Sequence, residues 1–344
     1  MYSKIESEIQ LRELISTYPA VLDNRIKDSF DKFSLEFIES AAFVIFSSSS
    51  QNIGFKIFSC KDVNIETSPS SKLSINVSRS NFTKLATFKC SLYFLVPGLG
   101  HGFRVNGECQ ISDDCSYMEI LVRSSYFHCS RAFVRAKFWD PSYLSVESKG
   151  MVNSGLDASC PQDRLDAEKQ EFLQQASLFF LHTETPAGGT ELSPRGDPQG
   201  ILRCEDDRTI VFAERPGNKV AISLRNILNN RIVGLLVVIP GQEKFLSVSG
   251  TAELSDDSLL LNSLAIKNKI PKLAVIISIS SAIFVVGDYD KNCSIWDGNN
   301  YVEPGTLTSF PKALSAHING EGLLGKIKST VVSSIVKHDL KNLY

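Results

Sequence analysis

The sequence predicts an α+β fold that is mainly β and is built from one unit present twice. Short runs of β-branched and aromatic residues, separated by Gly, Pro and Ser, fill residues 42–112, as expected for consecutive strands. The segment EFIESAAFVIFSS (36–48) aligns with EFLQQASLFFLHT (171–183) at an offset of 135 residues, and FRVNGECQISDD (103–114) aligns with LSVSGTAELSDD (246–257) at an offset of 143. These repeats indicate a tandem duplication, and 344 residues are enough for two domains.

The repeat sets the predicted domain boundaries. The first copy occupies residues 1–141, and its residues 4–40 have helical periodicity. Residues 142–166 show no sustained periodicity and are predicted to form a linker, after which the second copy occupies residues 167–320. Residues 321–344 carry apolar side chains at helical spacing, which predicts a C-terminal helix.

Composition argues against several classes of protein. The net charge of −2 disfavours a general nucleic-acid-binding protein. The amino terminus is charged and lacks the apolar core of a signal peptide, and the longest apolar run, residues 273–286, is too short to span a membrane. The eight cysteines form no Cys-x-x-Cys pair, which indicates reduced thiols in a cytoplasmic protein and no metal site.

Two tight turns in the second copy carry cations. The segment SPRGDP (193–198) is followed by RPGNK (215–219), and an amphipathic helix with Arg225 comes next. Gly and Pro favour tight turns, and a cation beside free backbone N–H groups at the start of a helix can hold a phosphate. Composition alone leaves open whether these turns form a phosphate cradle or are solvated surface loops.

The order of these motifs resembles a known family. SPRGDP (193–198), RPGN (215–218), SLRNIL (223–228) and a strand ending in IPG (239–241) are similar to the FMN-binding split-barrel proteins related to pyridoxamine 5′-phosphate oxidase. The resemblance covers roughly residues 30–141 and 165–320 and implies that each copy is a split β-barrel. Family members are typically homodimers that bind FMN at the interface, with a phosphate cradle from one subunit and a carboxyl-terminal arm from the other.

The two copies retain complementary halves of such a site. The second copy keeps the cradle, whereas the first copy has no equivalent of Arg195. The first copy keeps the arm, HCSRAFVR (128–135) followed by FWDP (138–141), whereas in the second copy the histidine position is predicted to be Val286 and the cysteine position Gly287. The resemblance therefore predicts an intrachain pseudo-dimer with one composite FMN site, which needs no second chain and can be monomeric.

Roles for individual residues follow from the resemblance. Arg195 stands where the family's strand arginine contacts the flavin phosphate, but Val220 stands where the family pattern has an arginine, so that Lys219 would have to compensate. Trp139 is expected to pack near the flavin ring. The predicted cofactor-binding residues are Ser193, Arg195, Gly196, Asn218, Lys219, Ser223, Arg225, Arg131, Arg135 and Trp139, and the predicted catalytic residues are His128 and Cys129.

Several of these residues also have a purely structural interpretation. His128 can be a hydrogen-bonded core histidine, and Cys129 can be a small buried hydrophobe. The two arginines of the arm can be a solvated helix face. Trp296 is retained at the position equivalent to Trp139, which shows that this tryptophan can be kept for packing alone. His182 has no counterpart in the first copy and is a further candidate for the pocket.

The sequence thus predicts an FMN-dependent oxidoreductase that acts on a small organic molecule, with His128 as the first candidate for acid–base chemistry. Two other classes of protein stay open. Split-barrel relatives also bind haem, for which His128, His101 or His182 could supply an axial ligand. The other alternative is a cofactor-free binding or scaffold protein, because function depends on the site and not on the fold.

Overall fold

The computed structural model describes residues 2–49, 54–66, 71–77, 87–143, 161–289, 293–303, 305–319 and 343. These residues form two antiparallel sheets of seven strands each, and each sheet is drawn from one copy of the repeat. The described chain is mainly β with few helices, which confirms the predicted fold class of two split-barrel domains.

The strands of the two sheets follow one another in chain order. The first sheet contains β1 (Phe43–Ser48), β2 (Gly54–Ser59), β3 (Val63–Glu66), β4 (Lys72–Asn76), β5 (Phe88–Leu95), β6 (Gly102–Ile111) and β7 (Tyr117–His128). The second sheet contains β8 (Leu178–Glu184), β9 (Thr190–Gly196), β10 (Arg203–Cys204), β11 (Thr209–Ala213), β12 (Ile232–Val238), β13 (Lys244–Ser255) and β14 (Ala274–Val286).

The two sheets have the same topology. The first runs in the order β2-β1-β5-β6-β7-β4-β3, and the second, with each strand seven places later, runs β9-β8-β12-β13-β14-β11-β10. Both carry a β-bulge at the same point, between Asn106 and Gly107 in the first sheet and between Ser249 and Gly250 in the second, 143 residues later. A shared strand order and a shared irregularity support the tandem duplication inferred from the sequence.

Seven α-helices accompany the sheets within the described ranges. They are α1 (Glu8–Leu14), α2 (Lys32–Ser40), α3 (Arg131–Arg135), α4 (Ala167–Gln175), α5 (Ile222–Asn229), α6 (Ser258–Ser263) and α7 (Phe310–Asn319). The helical region predicted at residues 4–40 is divided into α1, a 3₁₀ helix over Ala20–Arg25 that follows Pro19, and α2. The start of α2 is fixed by Asp31, whose carboxylate accepts hydrogen bonds from the backbone N–H groups of Phe33 and Ser34.

The chain ends cross between the two copies, which the predicted boundaries did not anticipate. Ile5 and Leu11 are buried in the apolar core of the second copy, and the Ile5 N–H donates to the Leu254 carbonyl at 2.9 Å. Conversely, Phe310 and Ala313 of α7 are buried in the core of the first copy. Each barrel is therefore completed by a segment that the sequence boundaries assigned to the other copy, because the apolar face of a terminal helix packs wherever an open core lies nearest.

A third apolar core joins the two copies, and equivalent residues meet in it. Phe43 and Tyr93 of the first copy pack there with Leu178 and Phe180 of the second. Near this core, Ser47 Oγ lies 3.0 Å from Nδ1 of His182, its equivalent at the offset of 135. Contacts between equivalent positions are the mark of a twofold interface, so the two copies form an intrachain pseudo-dimer.

Two predicted segments fall mostly outside the described residues. Of the linker at 142–166, the structure describes 142, 143 and 161–166, and of the C-terminal helix at 321–344 it describes residue 343 alone. Within the described part of the chain, no helix combines the length and the apolar character needed to cross a membrane.

Candidate functional site

A cavity of about 460 Å³ lies between the two copies. It is lined by residues of the carboxyl-terminal end of the first copy and by both cationic turns of the second. The structure brings ten of the predicted site residues to this one cavity: His128, Cys129, Arg131, Arg135, Ser193, Arg195, Gly196, Asn218, Lys219 and Ser223. The arm and the cradle, which are far apart in the sequence, thus face the same space.

The cradle is built from the end of β9, the turn at 215–219 and the start of α5. The guanidinium of Arg195 is mostly buried and its Nε donates to Glu214 at 3.2 Å. Arg215 Nε donates to Asp197 at 2.6 Å, which ties the second turn to the first. Helix α5 begins after Ala221, which has φ of 56°, and no side chain among the described residues caps it. Its first N–H groups therefore carry the positive end of the helix dipole at the cavity wall.

The loop before α5 is held from outside by the amino-terminal segment. Lys219 has φ of 64° and Ala221 φ of 56°, so the chain reverses sharply on either side of Val220. Arg12 of α1 donates to the carbonyl of Lys219 at 2.9 Å and to that of Val220 at 3.3 Å. Asn218 Oδ1 accepts from the Val220 N–H at 3.1 Å. The side chain of Asn218 therefore shapes the turn. The contribution of Arg12 was not predicted from the sequence.

The arm meets the cradle through α3. Arg131 Nη1 and Arg135 Nη2 both donate to the carbonyl of Pro216, at 3.2 and 2.7 Å. A Cβ placed on Gly196 would lie 1.9 Å from the carbonyl oxygen of Ala132 in α3. Glycine at this position is what allows the backbone of the arm to lie against the strand of the cradle. The predicted role of Gly196 in holding the turn close to a ligand is thus accompanied by a packing role between the copies.

His128 presents a neutral imidazole to the cavity. Its Nδ1 lies 3.2 Å from the carbonyl oxygen of Cys129, and because a carbonyl only accepts, Nδ1 carries the proton. Burial lowers the pKa of His128 well below its ordinary value, and the positive charges of Arg104 and Arg195 lower the pKa further. Nε2 is therefore an acceptor at neutral pH. Cys129 is only partly buried and lines the cavity next to His128.

A buried polar network under the cradle was not predicted from the sequence. Arg104, which is 1% exposed, forms an ion pair with Glu191 and donates to Ser193 Oγ at 2.9 Å. Tyr126 donates to the same carboxylate at 2.7 Å, and Ser223 donates to Ser193 at 3.2 Å. The network connects β6 and β7 of the first copy to the cradle of the second. An arginine in the middle of the strand motif FRVNG was the signal that could have revealed it.

The sequence of the second copy is similar to that of a known family. Residues 165–283 match the sequence profile of the family described as pyridoxamine 5′-phosphate oxidase. The first copy lies outside this match but repeats the strand order of the second, so the two described sheets fit a tandem fusion of two such units.

Several solved structures are similar to about a third of this chain. HupZ of Group A Streptococcus is 18% identical, and the match covers 36% of this chain and 94% of that chain with a TM-score of 0.30. General stress protein 26 of Bacillus anthracis is 18% identical over 34% of this chain and 92% of that chain, with a TM-score of 0.28. A protein titled F420 reductase is 20% identical over 35% and 98%, with a TM-score of 0.27. Among curated proteins, none matches the chain by sequence.

The position related to the cavity by the pseudo-twofold axis has lost these groups. Val44 and Phe179 are equivalent at the offset of 135, and strand register pairs Val44 with Phe58 and Phe179 with Arg195. A buried phenylalanine therefore takes the place of the cradle arginine. Likewise, Gly102 and Phe245 are equivalent at the offset of 143, and Gly102 pairs with His128 whereas Phe245 pairs with Val285. The histidine position of the second copy is therefore Val285, and the prediction of Val286 was wrong by one residue because β7 and β14 align without a gap.

Two predicted cofactor-binding residues do not reach the cavity lining. Trp139 donates from Nε1 to the Leu99 carbonyl at 2.8 Å, and its ring lies 5.7 Å from that of Trp296, centroid to centroid. Trp296 makes the equivalent bond to the Gln242 carbonyl, also at 2.8 Å. The two tryptophans are a symmetric packing pair, so Trp139 packs against Trp296 outside the cavity lining and not near the expected position of the flavin ring. Arg225 instead lies 4.0 Å from Glu8 of α1.

The other two histidines considered from the sequence lie away from the cavity. His182 is fully buried against Ser47. His101 packs among the rings of Phe37, Phe127 and Phe310 in the first copy. Neither lines the cavity between the copies, so the suggestion that His182 faces the pocket was wrong.

Proposed function

We propose that the chain binds one FMN in the cavity between its two copies and acts as a flavin-dependent oxidoreductase on a small organic molecule. The observation that carries this proposal is that the cradle of the second copy and the arm of the first line one cavity, while the related position has Phe58 and Val285 in place of Arg195 and His128. Its volume, about 460 Å³, is within the range of about 300–1,000 Å³ of small-molecule sites.

The charges of the lining suit an anionic cofactor. Basic residues far outnumber acidic ones among the described residues of the lining, in which Glu214 is the sole carboxylate. A phosphate dianion is stabilised by arginine guanidinium groups and by the N–H groups of an uncapped helix start. The basic residues of the lining are Arg25, Arg104, Arg131, Arg135, Arg195, Arg215, Lys219, Lys269 and Lys272.

In this proposal the cradle holds the phosphate and the arm closes the site. Ser193, Ser223, Arg195 and the start of α5 are the phosphate donors, and Lys219 supplies charge where the family pattern has an arginine at Val220. A bound flavin supplies the exchange of an electron pair with the substrate. The chain's own residues bind and orient the cofactor and the substrate and exclude water. Nε2 of His128, which carries no proton, is the proton acceptor in this proposal.

The cradle is tested by replacing Arg195 and a control arginine in the full-length protein. Arg195→Ala removes one charged hydrogen-bond donor, so FMN binding should weaken by about 1.5–3 kcal/mol, or roughly tenfold to a hundredfold in Kd. Arg203→Ala is the control, because Arg203 is paired with Glu205 and Ser263 and lies outside the cavity lining. Fluorescence titration of FMN measures both Kd values, and equal effects would show that the turn at 193–198 does not bind phosphate.

Haem binding is the second candidate, because His128 offers a neutral Nε2 of the kind that coordinates iron. The absorption spectrum of the purified protein separates the two functions. Flavin bands support the proposal, and a Soret band that is lost in His128→Ala supports haem. A protein that shows neither and fails to bind added FMN is a cofactor-free binding protein.

A further inference from the structure

Two buried arginines of the first copy face the same phenol ring at the cavity wall. The guanidinium carbon of Arg25 lies 5.2 Å from the ring centroid of Tyr126, and that of Arg104 lies 4.9 Å from it. Arg25 is the last residue of the 3₁₀ helix over Ala20–Arg25 and is 4% exposed. Both arginines line the cavity together with His128. We call Arg25, Arg104 and Tyr126 the arginine wall.

The arginine wall holds more positive charge than the protein neutralises. Arg104 is paired with the buried carboxylate of Glu191. The carboxylate near Arg25 is that of Asp23, which lies 3.8 Å away and is half exposed, so solvent screens it. Two cations against one buried anion leave one net positive charge at this wall, and an unneutralised buried charge is costly.

Each arginine also keeps a donor unused. Nη2 of Arg25 and Nε of Arg104 are buried and make no hydrogen bond to any described residue. Buried guanidinium nitrogens nearly always have a partner, because leaving one unsatisfied costs the desolvation of that group. Nη1 of Arg25 is already engaged, donating to the Leu22 carbonyl at 2.6 Å. The arginine wall thus lacks one negative charge and carries two buried donors that have no partner among the described residues.

We propose that the arginine wall binds the carboxylate of a small organic acid, and that this acid is the substrate. Identifying the bound acid as a substrate rests on the proposed flavin function, whereas the anion site itself does not. A monoanion neutralises the one excess charge, whereas a phosphate dianion would leave one buried negative charge in its place. The two unused donors, one on each guanidinium, match in number the two oxygens of a carboxylate.

The site is distinct from the proposed phosphate cradle. The arginine wall belongs to β6, β7 and the amino-terminal segment of the first copy, and the cradle belongs to the second copy. The two are linked through Arg104, which donates to Ser193 of the cradle. The flavin phosphate and the substrate carboxylate are therefore held by different copies. His128 lines the same cavity.

Calorimetric titration of the full-length protein with benzoate, benzamide and phenyl phosphate tests the proposal. Benzoate should bind, and neutral benzamide and dianionic phenyl phosphate should each bind about tenfold more weakly or worse, the equivalent of one charged hydrogen bond. Arg25→Gln should weaken benzoate binding about tenfold or more, and Arg25→Lys, which keeps the positive charge, should weaken it less. Arg203→Gln is the control and should leave the Kd for benzoate unchanged.

FMN titration of the same proteins keeps the two proposals apart. If FMN binds to Arg25→Gln as to the unaltered chain while benzoate is weakened, both stand. If benzoate binding depends on Arg25 but neither the unaltered chain nor any variant binds FMN, the anion site stands and the flavin function fails. Equal binding of benzoate and benzamide, absence of saturable benzoate binding, or an unchanged benzoate Kd in folded Arg25→Gln overturns the anion site. The anion site is also overturned if Arg25→Gln weakens FMN binding and leaves benzoate binding unchanged, because the flavin phosphate would then lie at the arginine wall.

Discussion

Burial and neighbouring charge fix the protonation of the histidine at the cavity. The pKa of His128 lies well below its ordinary value because the ring is buried and Arg104 and Arg195 repel a second proton. In the resting protein His128 is therefore a proton acceptor and has no proton to give from Nε2. If it takes part in the proposed chemistry, it acts first as a base, and a bound anion would make protonation easier.

A second histidine makes stability depend on pH. Burial lowers the pKa of His101 from 6.5 to about 4. Between these values the unfolded chain binds a proton that the folded chain does not, so stability is full above pH 6.5 and falls as the pH drops to about 4. A shift of this size corresponds to roughly 3 kcal/mol. Denaturant unfolding of the unaltered chain and of His101→Phe across this range measures the contribution. An identical pH dependence in the two proteins would contradict it.

The two tryptophans should behave as one packing unit. Trp296→Ala should destabilise by about 3–5 kcal/mol because the side chain is fully buried, and Trp139→Ala by less because its ring is partly exposed. Since the rings touch, the double variant should depart from additivity by about 0.5–3 kcal/mol. Neither change should alter FMN affinity, because neither ring lines the cavity. Loss of FMN binding in folded Trp139→Ala, but not in Trp296→Ala, would restore the predicted contact of Trp139 with the flavin.

At the scale of elements, the contact between β9 and α3 sets the geometry of the site. Gly196→Ala would place a Cβ 1.9 Å from the Ala132 carbonyl and push the arm away from the cradle. FMN affinity should fall about tenfold or more, which is about 1.4 kcal/mol. Gly217→Ala is a matched control, because Gly217 also lines the cavity but its added Cβ meets nothing within 4 Å. Equal losses in FMN titrations of the two variants would argue against this contact.

Elements that repeat in the sequence were predictable, and contacts made once were not. The alignment of 36–48 with 171–183 and of 103–114 with 246–257 was enough to predict two like sheets, since strands, turns and the bulge at Gly107 and Gly250 recur with the repeat. The arm and the cradle could be assigned to one cavity because each survives in one copy. Arg12 and Arg25 reach the site only because the amino-terminal segment folds over both copies, and no local pattern marks them.

Motifs also failed where packing and ligand binding use the same residue type. Trp139 and Arg225 both belong to family-like motifs, yet the first packs against Trp296 and the second lies near Glu8. A motif specifies that a residue is retained in the fold, and the side chain's environment decides what it does. Arg104 shows the opposite case, in which no motif marked the residue. Its charge lies in a strand with an otherwise buried apolar face and is explained by Glu191, the partner that the other copy provides.

At the scale of the whole molecule, duplication has turned a twofold interface into an asymmetric one. Equivalent residues still pair near the axis, as Ser47 does with His182 and Trp139 with Trp296. Away from the axis, the polar network of Arg104, Glu191 and Tyr126 exists on one side only among the described residues. At the symmetry-related position its counterparts by strand register are Ser247, Gly54 and Ile283. A single chain freed from exact symmetry can specialise one copy for the cradle and the other for the arm.

The number of FMN molecules bound per chain tests this account most directly. Equilibrium titration of the purified full-length protein with FMN, combined with its molar mass in solution, gives that number for a known assembly. We expect saturation at one FMN per chain in a monomer, because the cradle and the arm are both present within one polypeptide. Saturation at two FMN per chain, or binding that requires a second chain, would contradict it.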